Sequence, residues 1–247
     1  MYKAILFDLD NTLLDYSCSE QESLRRMLEH HQLNLLEGFQ WEQFREVFAP
    51  INWMYWVERN ERKLNIMQVL DYSFRDTLLQ MGQDHSASTD MAGTYWRLFC
   101  STCHVIEGTQ HLLARLHGRY PMGIISNGIG EAQRSRLKTG GLEHYFDHLF
   151  VSDEIGFWKP DRQIFDRAVD TFGLRHDEVL FVGDSLQDDY HGALGAGIDF
   201  CYFNPGGSRP EDGIRPKYSI QSLSQLIALL ALNNEERGEQ HEIQTLY

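Results

Sequence analysis

The chain has 247 residues, with 42% hydrophobic and 23% charged side chains, which is enough apolar surface for one large domain or two smaller ones. Thirty-six acidic residues stand against 22 basic ones, a net charge of −14. That balance argues against nucleic-acid and anionic-membrane partners, though not against one small anionic substrate where a lysine and a metal reverse the field locally. No stretch approaches the length of a transmembrane helix, and the chain enters a strand with no basic-then-apolar leader. A soluble cytoplasmic protein is expected. Cys18, Cys100, Cys103 and Cys201 fit reduced thiols, and the CxxC spacing of Cys100 and Cys103 reads as structural, since no second pair accompanies it.

The apolar run Ala4-Ile5-Leu6 predicts a short buried strand. It leads into Phe7-Asp8-Leu9-Asp10-Asn11-Thr12. Two carboxylates two residues apart at a strand end point to one side if the backbone is still extended. Like charges that close need a compensating cation to be buried. A hard cation with oxygen ligands, Mg²⁺ above all, suits them. The chemistry this suggests is a nucleophilic carboxylate beside a proton-transferring one. An Asp-rich turn that merely ends a strand has the same appearance, so the partners downstream decide.

Residues 15–95 read as all-helical. Ser19 and Glu22 have capping-box spacing ahead of the stripe Leu24, Met27, Leu28. Trp41, Phe44, Val47 and Phe48 form a second stripe, expected to break or bend near Pro50. Asn65 can cap a third helix carrying Ile66, Val69, Leu70, Phe74 and Leu78, ending near Gly82, and Ser88 can start a fourth. Four helices suggest a small bundle inserted after the first strand.

From about residue 105 strands and helices alternate. A helix through Leu112, Leu113 and Leu116 precedes a strand over Met122–Ser126 and the loop Asn127-Gly128. A helix over Arg134–Lys138 stops at Gly140-Gly141, and Phe146–Val151 gives the next strand. A helix starts near Pro160, followed by a strand over Val179–Val182 and by Gly183-Asp184-Ser185. A short small-residue helix over Gly192–Gly197, a strand over Phe200–Phe203 and a final helix over Ser222–Leu232 complete the pattern. The polar stretch 233–247 reads as a loose tail. The expected fold class is α/β: a Rossmann-like, doubly wound parallel sheet from 1–14 and 96–232, with an inserted all-helical bundle over 15–95.

Such sheets gather their sites beyond the carboxyl ends of the strands. Asp8 and Asp10, Ser126 and Asn127, and Asp184 with Ser185 follow strands, with Asp188 and Asp189 just beyond, and Lys159 comes some residues after the third strand. Phosphoryl transfer needs such groups: a carboxylate nucleophile, cations around the phosphoryl oxygens and hydrogen-bond donors for the developing charge. Asp184 reads as a metal ligand; spacing alone does not choose between Asp188 and Asp189. Ser126 could instead cap the next helix. The setting Phe157-Trp158-Lys159-Pro160 favours a fixed backbone at Lys159, because the residue before proline is held extended.

These residues, Asp8-Leu-Asp10-Asn-Thr12, Ser126-Asn127, Lys159 and Gly183-Asp184-Ser185 with Asp189, resemble in order and spacing the four motifs of the haloacid dehalogenase superfamily. The resemblance covers nearly the whole chain, and 15–95 resembles the family's helical cap. It implies Asp8 as nucleophile and Asp10 as general acid, then base, with Thr12 supporting the loop. Ser126 and the Asn127 amide would bind the phosphoryl group, and Lys159 would neutralise it. Mg²⁺ would be held by Asp8, the Asp10 carbonyl and Asp184. Asp189, matching the longer spacing, would stand behind them with Ser185. True dehalogenases of the superfamily lack the second aspartate of the first motif, and Asp10 is present here.

Asn52-Trp53-Met54-Tyr55-Trp56, with Val151–Pro160 and Phe203-Asn204-Pro205, is similar to the bacterial pyrimidine 5′-nucleotidases of this superfamily. That similarity implies a small phosphorylated metabolite as partner, a nucleoside 5′-monophosphate first, with Asn52, Trp53 and Trp56 at the base. Aromatic residues on a helix more commonly pack a core. The alternatives are a phosphoglycolate or sugar-phosphate phosphatase, a sugar-phosphate mutase, and a non-catalytic phosphate-binding regulatory protein on the same fold.

Overall fold

The computed structural model of the protein describes residues 1–210 and 213–231. Two compact units emerge: Met1–Tyr16 with the chain from Cys103 onward, and Ser17–Thr102. In chain order, β1 (Ala4–Phe7) is followed by α1 (Tyr16–His30), α2 (Trp41–Glu58), α3 (Ile66–Gln80) and α4 (Ser88–Ser101). Then come α5 (Thr109–Leu116), β2 (Met122–Ser126), α6 (Gly130–Thr139), β3 (His148–Val151), α7 (Ser152–Ile155) and α8 (Arg162–Phe172). The chain continues through β4 (Val179–Gly183), α9 (His191–Ala196), β5 (Asp199–Phe203) and β6 (Tyr218–Ile220), and is helical over 223–231. Position 232 and the expected loose tail lie outside the described residues.

The sheet is parallel throughout, in the order β3-β2-β1-β4-β5-β6. The strands alternate their side chains between two cores, as the twofold repeat of a strand requires. Ile5, Phe7, Ile124, Leu180 and Val182 face one layer with Leu112, Leu113, Leu116 and Leu137. Ala4, Leu6, Ile125, Val179 and Phe181 face the other, with Ile164, Phe165, Ala168 and Val169 of α8. Helices therefore cover both faces, which is why the strands read as continuous apolar runs. The chain winds outward from β1 through β2 to β3, then crosses to β4 and winds the other way. The strand order thus reverses between β1 and β4, the place where such sheets open a crevice.

The unit Ser17–Thr102 packs α2, α3 and α4 through aromatic residues. Phe44 stacks on Phe48, with ring centroids 5.6 Å apart, and Phe48 on Phe74 at 5.0 Å. Asn65 caps α3 reciprocally with Gln68, as its spacing predicts.

Three local expectations change. The Ser19–Glu22 box does not start α1; the helix begins at Tyr16, directly after Asp15, whose amide donates to the His104 carbonyl at 2.7 Å. Ser19 is buried one turn in, and its carbonyl accepts from Ser23 Oγ. Pro50 does not end α2, which runs through it. One missing backbone hydrogen bond is outweighed there by buried Phe44 and Phe48 before it and Tyr55 after it. The helix expected near Pro160 starts at Arg162, capped by the Asp161 carboxylate on the Gln163 amide.

Candidate active site

The site lies in the unit that carries the sheet. The Asp8 amide donates to the Val182 carbonyl at 2.8 Å, so the ladder continues one residue past β1 and carries Asp8 to the strand end. The chain then turns sharply. Asn11 adopts φ 62°, a left-handed conformation that Asn tolerates better than most residues. Its amide donates to the Leu14 carbonyl, while the amides of Leu13 and Leu14 return to the Leu9 carbonyl. Thr12 is buried in this turn and its Oγ1 donates to Asp184 Oδ1 at 3.3 Å, joining the loops after β1 and β4.

Lys159 is the centre of charge. Its Nζ lies 2.5 Å from Asp8 Oδ1 and 2.7 Å from Asp189 Oδ1, and all three side chains are buried. The backbone of Lys159 is clamped by the Asn127 carboxamide: Asn127 Nδ2 donates to the Lys159 carbonyl at 2.9 Å, and the Lys159 amide donates to Asn127 Oδ1 at 2.8 Å. This paired contact to the loop after β2 adds to the fixed backbone expected at the residue before Pro160.

Asp189 rather than Asp188 reaches the lysine. A π-helical turn over Leu186–Tyr190 brings both the Asp189 and Tyr190 amides onto the Ser185 carbonyl. It folds the Asp189 side chain back under the strand end, where Oδ2 accepts from the Ser185 amide at 3.0 Å. Ser185 Oγ accepts from the Asp188 amide and so caps the same turn. Gly183 has no room for a Cβ, because the Asp189 carboxylate fills that space.

Asp10 has a separate set of partners. Arg136 Nη1 donates to its Oδ1 and Gln133 Nε2 to its Oδ2, each at 2.7 Å. The same Gln133 nitrogen is 2.7 Å from Ser126 Oγ. Ser126 therefore does not cap the next helix, which begins at Gly130. Gln133 and Arg136 are not among the site residues expected from the sequence, which gives only a helix over Arg134–Lys138 there. The available signal is their three-residue spacing on the face shared with Ala132 and Leu137.

The electrostatics carry an excess of negative charge. Burial pushes the Asp8 carboxyl well above the ordinary range; Lys159 pulls it back, while Asp189 and Asp184 raise it further. Burial, with Asp189 adding to it, lifts Asp184 to about 6 against the pull of Lys159 and Thr12. Burial works against the Lys159 charge, yet Asp189 and Asp8 together hold it above the usual lysine value. Oxygens of Asp8, Asp184 and Asp189 come within 4.8 Å of one another. Three carboxylates against one ammonium, all oxygen donors, fit a hard divalent cation.

Asn52, Trp53 and Trp56 lie on α2, in the other unit. Asn52 Oδ1 accepts from Ser73 Oγ at 3.2 Å. The Arg59 guanidinium stacks over the Trp56 ring, 3.6 Å from its centroid. Trp53 is 65% exposed, and Met54 and Val57 beside it are exposed too. Trp53 is thus not a core residue of its own unit. No helix among the described residues is long and apolar enough to cross a membrane.

Comparison with known proteins gives the same frame. Residues 5–203 match the haloacid dehalogenase-like hydrolase family. The protein designated HAD-hydrolase YfnB of Bacillus subtilis is 30% identical over 94% of this chain and 97% of its own length. Its crystal structure, described as bound to magnesium, superposes with a TM-score of 0.78, 28% identity and coverage of 93% and 98% of the two chains. The pyrimidine 5′-nucleotidase PynA of Streptococcus pneumoniae is 28% identical, covering 96% of this chain and 98% of that one. The pyrimidine 5′-nucleotidase YjjG of Escherichia coli is 29% identical, covering 92% and 96%. The matched span runs from inside β1 to the end of β5 and takes in every strand that brings a charged residue to the crevice, so the chain belongs to the haloacid dehalogenase-like hydrolase family.

Proposed function

We propose that this hydrolase is a Mg²⁺-dependent phosphomonoesterase that works through an aspartyl-phosphate on Asp8, with nucleoside 5′-monophosphates, pyrimidine or non-standard, as substrates. The observation that carries the reaction class is the buried Lys159 between Asp8 and Asp189, with Asp184 across the strand-order reversal from Asp8. A carboxylate otherwise repelled by its neighbours is there kept beside a cation that can follow the charge onto a phosphoryl group.

In the first step an Asp8 oxygen attacks phosphorus and the ester P–O bond breaks, with Asp10 giving its proton to the leaving alkoxide. In the second step water attacks the same phosphorus and Asp10 takes the proton. Inorganic phosphate leaves and the Asp8 carboxylate is restored. Ser126 and the Asn127 backbone amide hold the phosphoryl oxygens, and Lys159 offsets their charge. Asp8 and Asp184, with the Asp10 carbonyl, hold Mg²⁺, which supplies electrostatic stabilisation to the transferring phosphoryl group. Asp189 and Ser185 order Lys159 and the loop behind the metal. The unit Ser17–Thr102 is the cap of this reading. Exposed Trp53, with Trp56 and Asn52, is proposed to meet the base; the two 5′-nucleotidase relatives support that choice.

The test is phosphate release from pyrimidine and purine nucleotides, phosphoglycolate and sugar phosphates, with Mg²⁺ and with chelator, beside Asp8→Asn. Preference for nucleotides, lost in chelator and in Asp8→Asn, is the expected result. Turnover confined to phosphoglycolate or sugar phosphates would keep the mechanism and remove the nucleobase assignment. Phosphate or metal binding that Asp10→Asn leaves unchanged, with no turnover of any ester by the wild type, would point to a regulatory binding protein.

A further inference from the structure

Asp10 is gripped at both oxygens by two residues that none of the four motifs contains. Gln133 and Arg136 stand three apart on α6, on one helix face, and both are buried. Arg136 Nη1 donates to Asp10 Oδ1 at 2.7 Å and to Gln133 Oε1 at 3.1 Å. Gln133 Nε2 donates to Asp10 Oδ2 and to Ser126 Oγ, each at 2.7 Å. The arginine thus fixes which way the glutamine amide faces. Its oxygen is taken by the guanidinium, so its NH₂ must point at the acid and the serine. Gly128 leaves the space for this, since a Cβ there would overlap the Gln133 amide.

A buried guanidinium is expensive unless each contact is well made, and an apolar side chain would anchor a helix at lower cost. What the pair adds over an apolar anchor is orientation. The two donors approach different oxygens, which removes rotation of the carboxylate about its own bond. Each carboxylate oxygen has two lone-pair sites, so one on each stays open for a proton or a water. The grip also ties Asp10 to the hydroxyl proposed to hold the phosphoryl group, so the acid and the phosphate site move as one body.

We propose that Gln133 and Arg136 are positioning residues for proton transfer by Asp10, with Gln133 coupling that acid to the Ser126 hydroxyl. This rests on the phosphomonoesterase reading above. Proton transfer by a placed acid contributes on the order of 100-fold or more when the leaving group is a poor one. An aryl oxide such as p-nitrophenolate leaves without help, whereas an alkoxide needs the proton. A defect in placement therefore separates the two esters, and a defect in folding does not.

The experiment measures the single-turnover rate of ester cleavage, with Mg²⁺, for p-nitrophenyl phosphate and for an alkyl phosphate that the wild type accepts. Wild type, Gln133→Met, Arg136→Lys and Asp8→Asn are compared. Gln133→Met keeps the bulk and removes the donors; Arg136→Lys keeps the charge and changes the reach and direction of the donor that meets both Asp10 and Gln133. The expected result is an alkyl-to-aryl rate ratio at least tenfold lower in both positioning variants, with KM within about threefold of wild type. Steady-state release from the aryl ester should fall as well, because hydrolysis of the aspartyl-phosphate also uses Asp10. An equal fall on both esters would make the pair a structural anchor and overturn the proposal. So would unchanged rates, or a rise in KM alone, which would assign Gln133 to Ser126 only. If the wild type cleaves no ester, the phosphomonoesterase reading falls and takes this with it; if the wild type is active and Asp8→Asn is not, only the positioning claim is at stake.

Discussion

Lys159 Nζ lies 2.5 Å from Asp8 Oδ1, and the same ammonium lies 2.7 Å from Asp189 Oδ1, with all three groups out of water. Removing the cation leaves two buried carboxylates facing each other. Lys159→Met should cost about 3–5 kcal/mol in urea unfolding without metal, the penalty of an uncompensated buried charge. Adding Asp189→Asn should return part of that loss, because one of the two stranded charges is gone. A double variant no more stable than Lys159→Met alone would show that the lysine does not serve Asp189.

Asp184 sets a pH dependence whose sign reverses with metal. Burial and Asp189 raise its carboxyl from the ordinary 3.8 to about 6. The native state then disfavours the charged form, so the relative stability present below 3.8 is lost as pH rises through about 6. In chelator, Asp184→Asn should exceed wild type in stability at neutral pH, by on the order of 3 kcal/mol, and match it near pH 4. With saturating Mg²⁺ the order should invert, because metal binding requires the deprotonated carboxylate and tightens as pH rises through the same range. Thermal unfolding at several pH values, with and without Mg²⁺, reads both. A wild type more stable than Asp184→Asn in chelator at neutral pH would contradict this account.

Gly183 closes β4 where the Asp189 carboxylate folds against it. The constraint is space rather than backbone, since Gly183 is not among the positive-φ glycines. A methyl group there must push Asp189 off its contacts with Lys159 and the Ser185 amide. Gly183→Ala should keep the fold and lower turnover by about 10–100-fold, as small misplacements of a reacting constellation do. Near-normal turnover would mean that Asp189 adjusts without consequence for the lysine.

Asp8, Ser126 and Asp184 are readable because each follows an apolar run, and a parallel sheet must bring such positions to one edge; Lys159 stands apart, beyond β3 and α7, beside Pro160. Asp8, Ser126, Lys159 and Asp184 needed no knowledge of helix faces. Gln133 and Arg136 did. An arginine on a short, charged helix reads as solvated, and only the tertiary fold shows that this arginine is fully buried. Spacing left Asp188 and Asp189 undecided for a similar reason: a π-helical turn, which leaves no periodic signature, selects between them. β6 leaves no signal in the sequence, because three residues are too few for an alternating pattern. The shifted start of α1 came from an anchor distant in sequence, the Asp15 amide on the His104 carbonyl, which outweighs the local Ser19–Glu22 spacing.

Trp53 gives the most direct probe of substrate choice. It is 65% exposed, so its removal takes little from the packing of its own unit, and Trp53→Ala should change stability by less than about 0.5 kcal/mol. Stacking of a base on an aromatic ring is worth about 1–3 kcal/mol. If the ring meets the base, KM for a pyrimidine nucleotide should rise by roughly 5–100-fold in Trp53→Ala, while KM for a small phosphate ester without a base stays put. Trp56 provides the contrast, because its ring already carries the Arg59 guanidinium 3.6 Å from its centroid. Trp56→Ala should therefore lower stability measurably as well as alter nucleotide binding. Equal KM values for nucleotide and baseless ester in wild type and Trp53→Ala would exclude Trp53 as a base platform and leave its exposure to some other use.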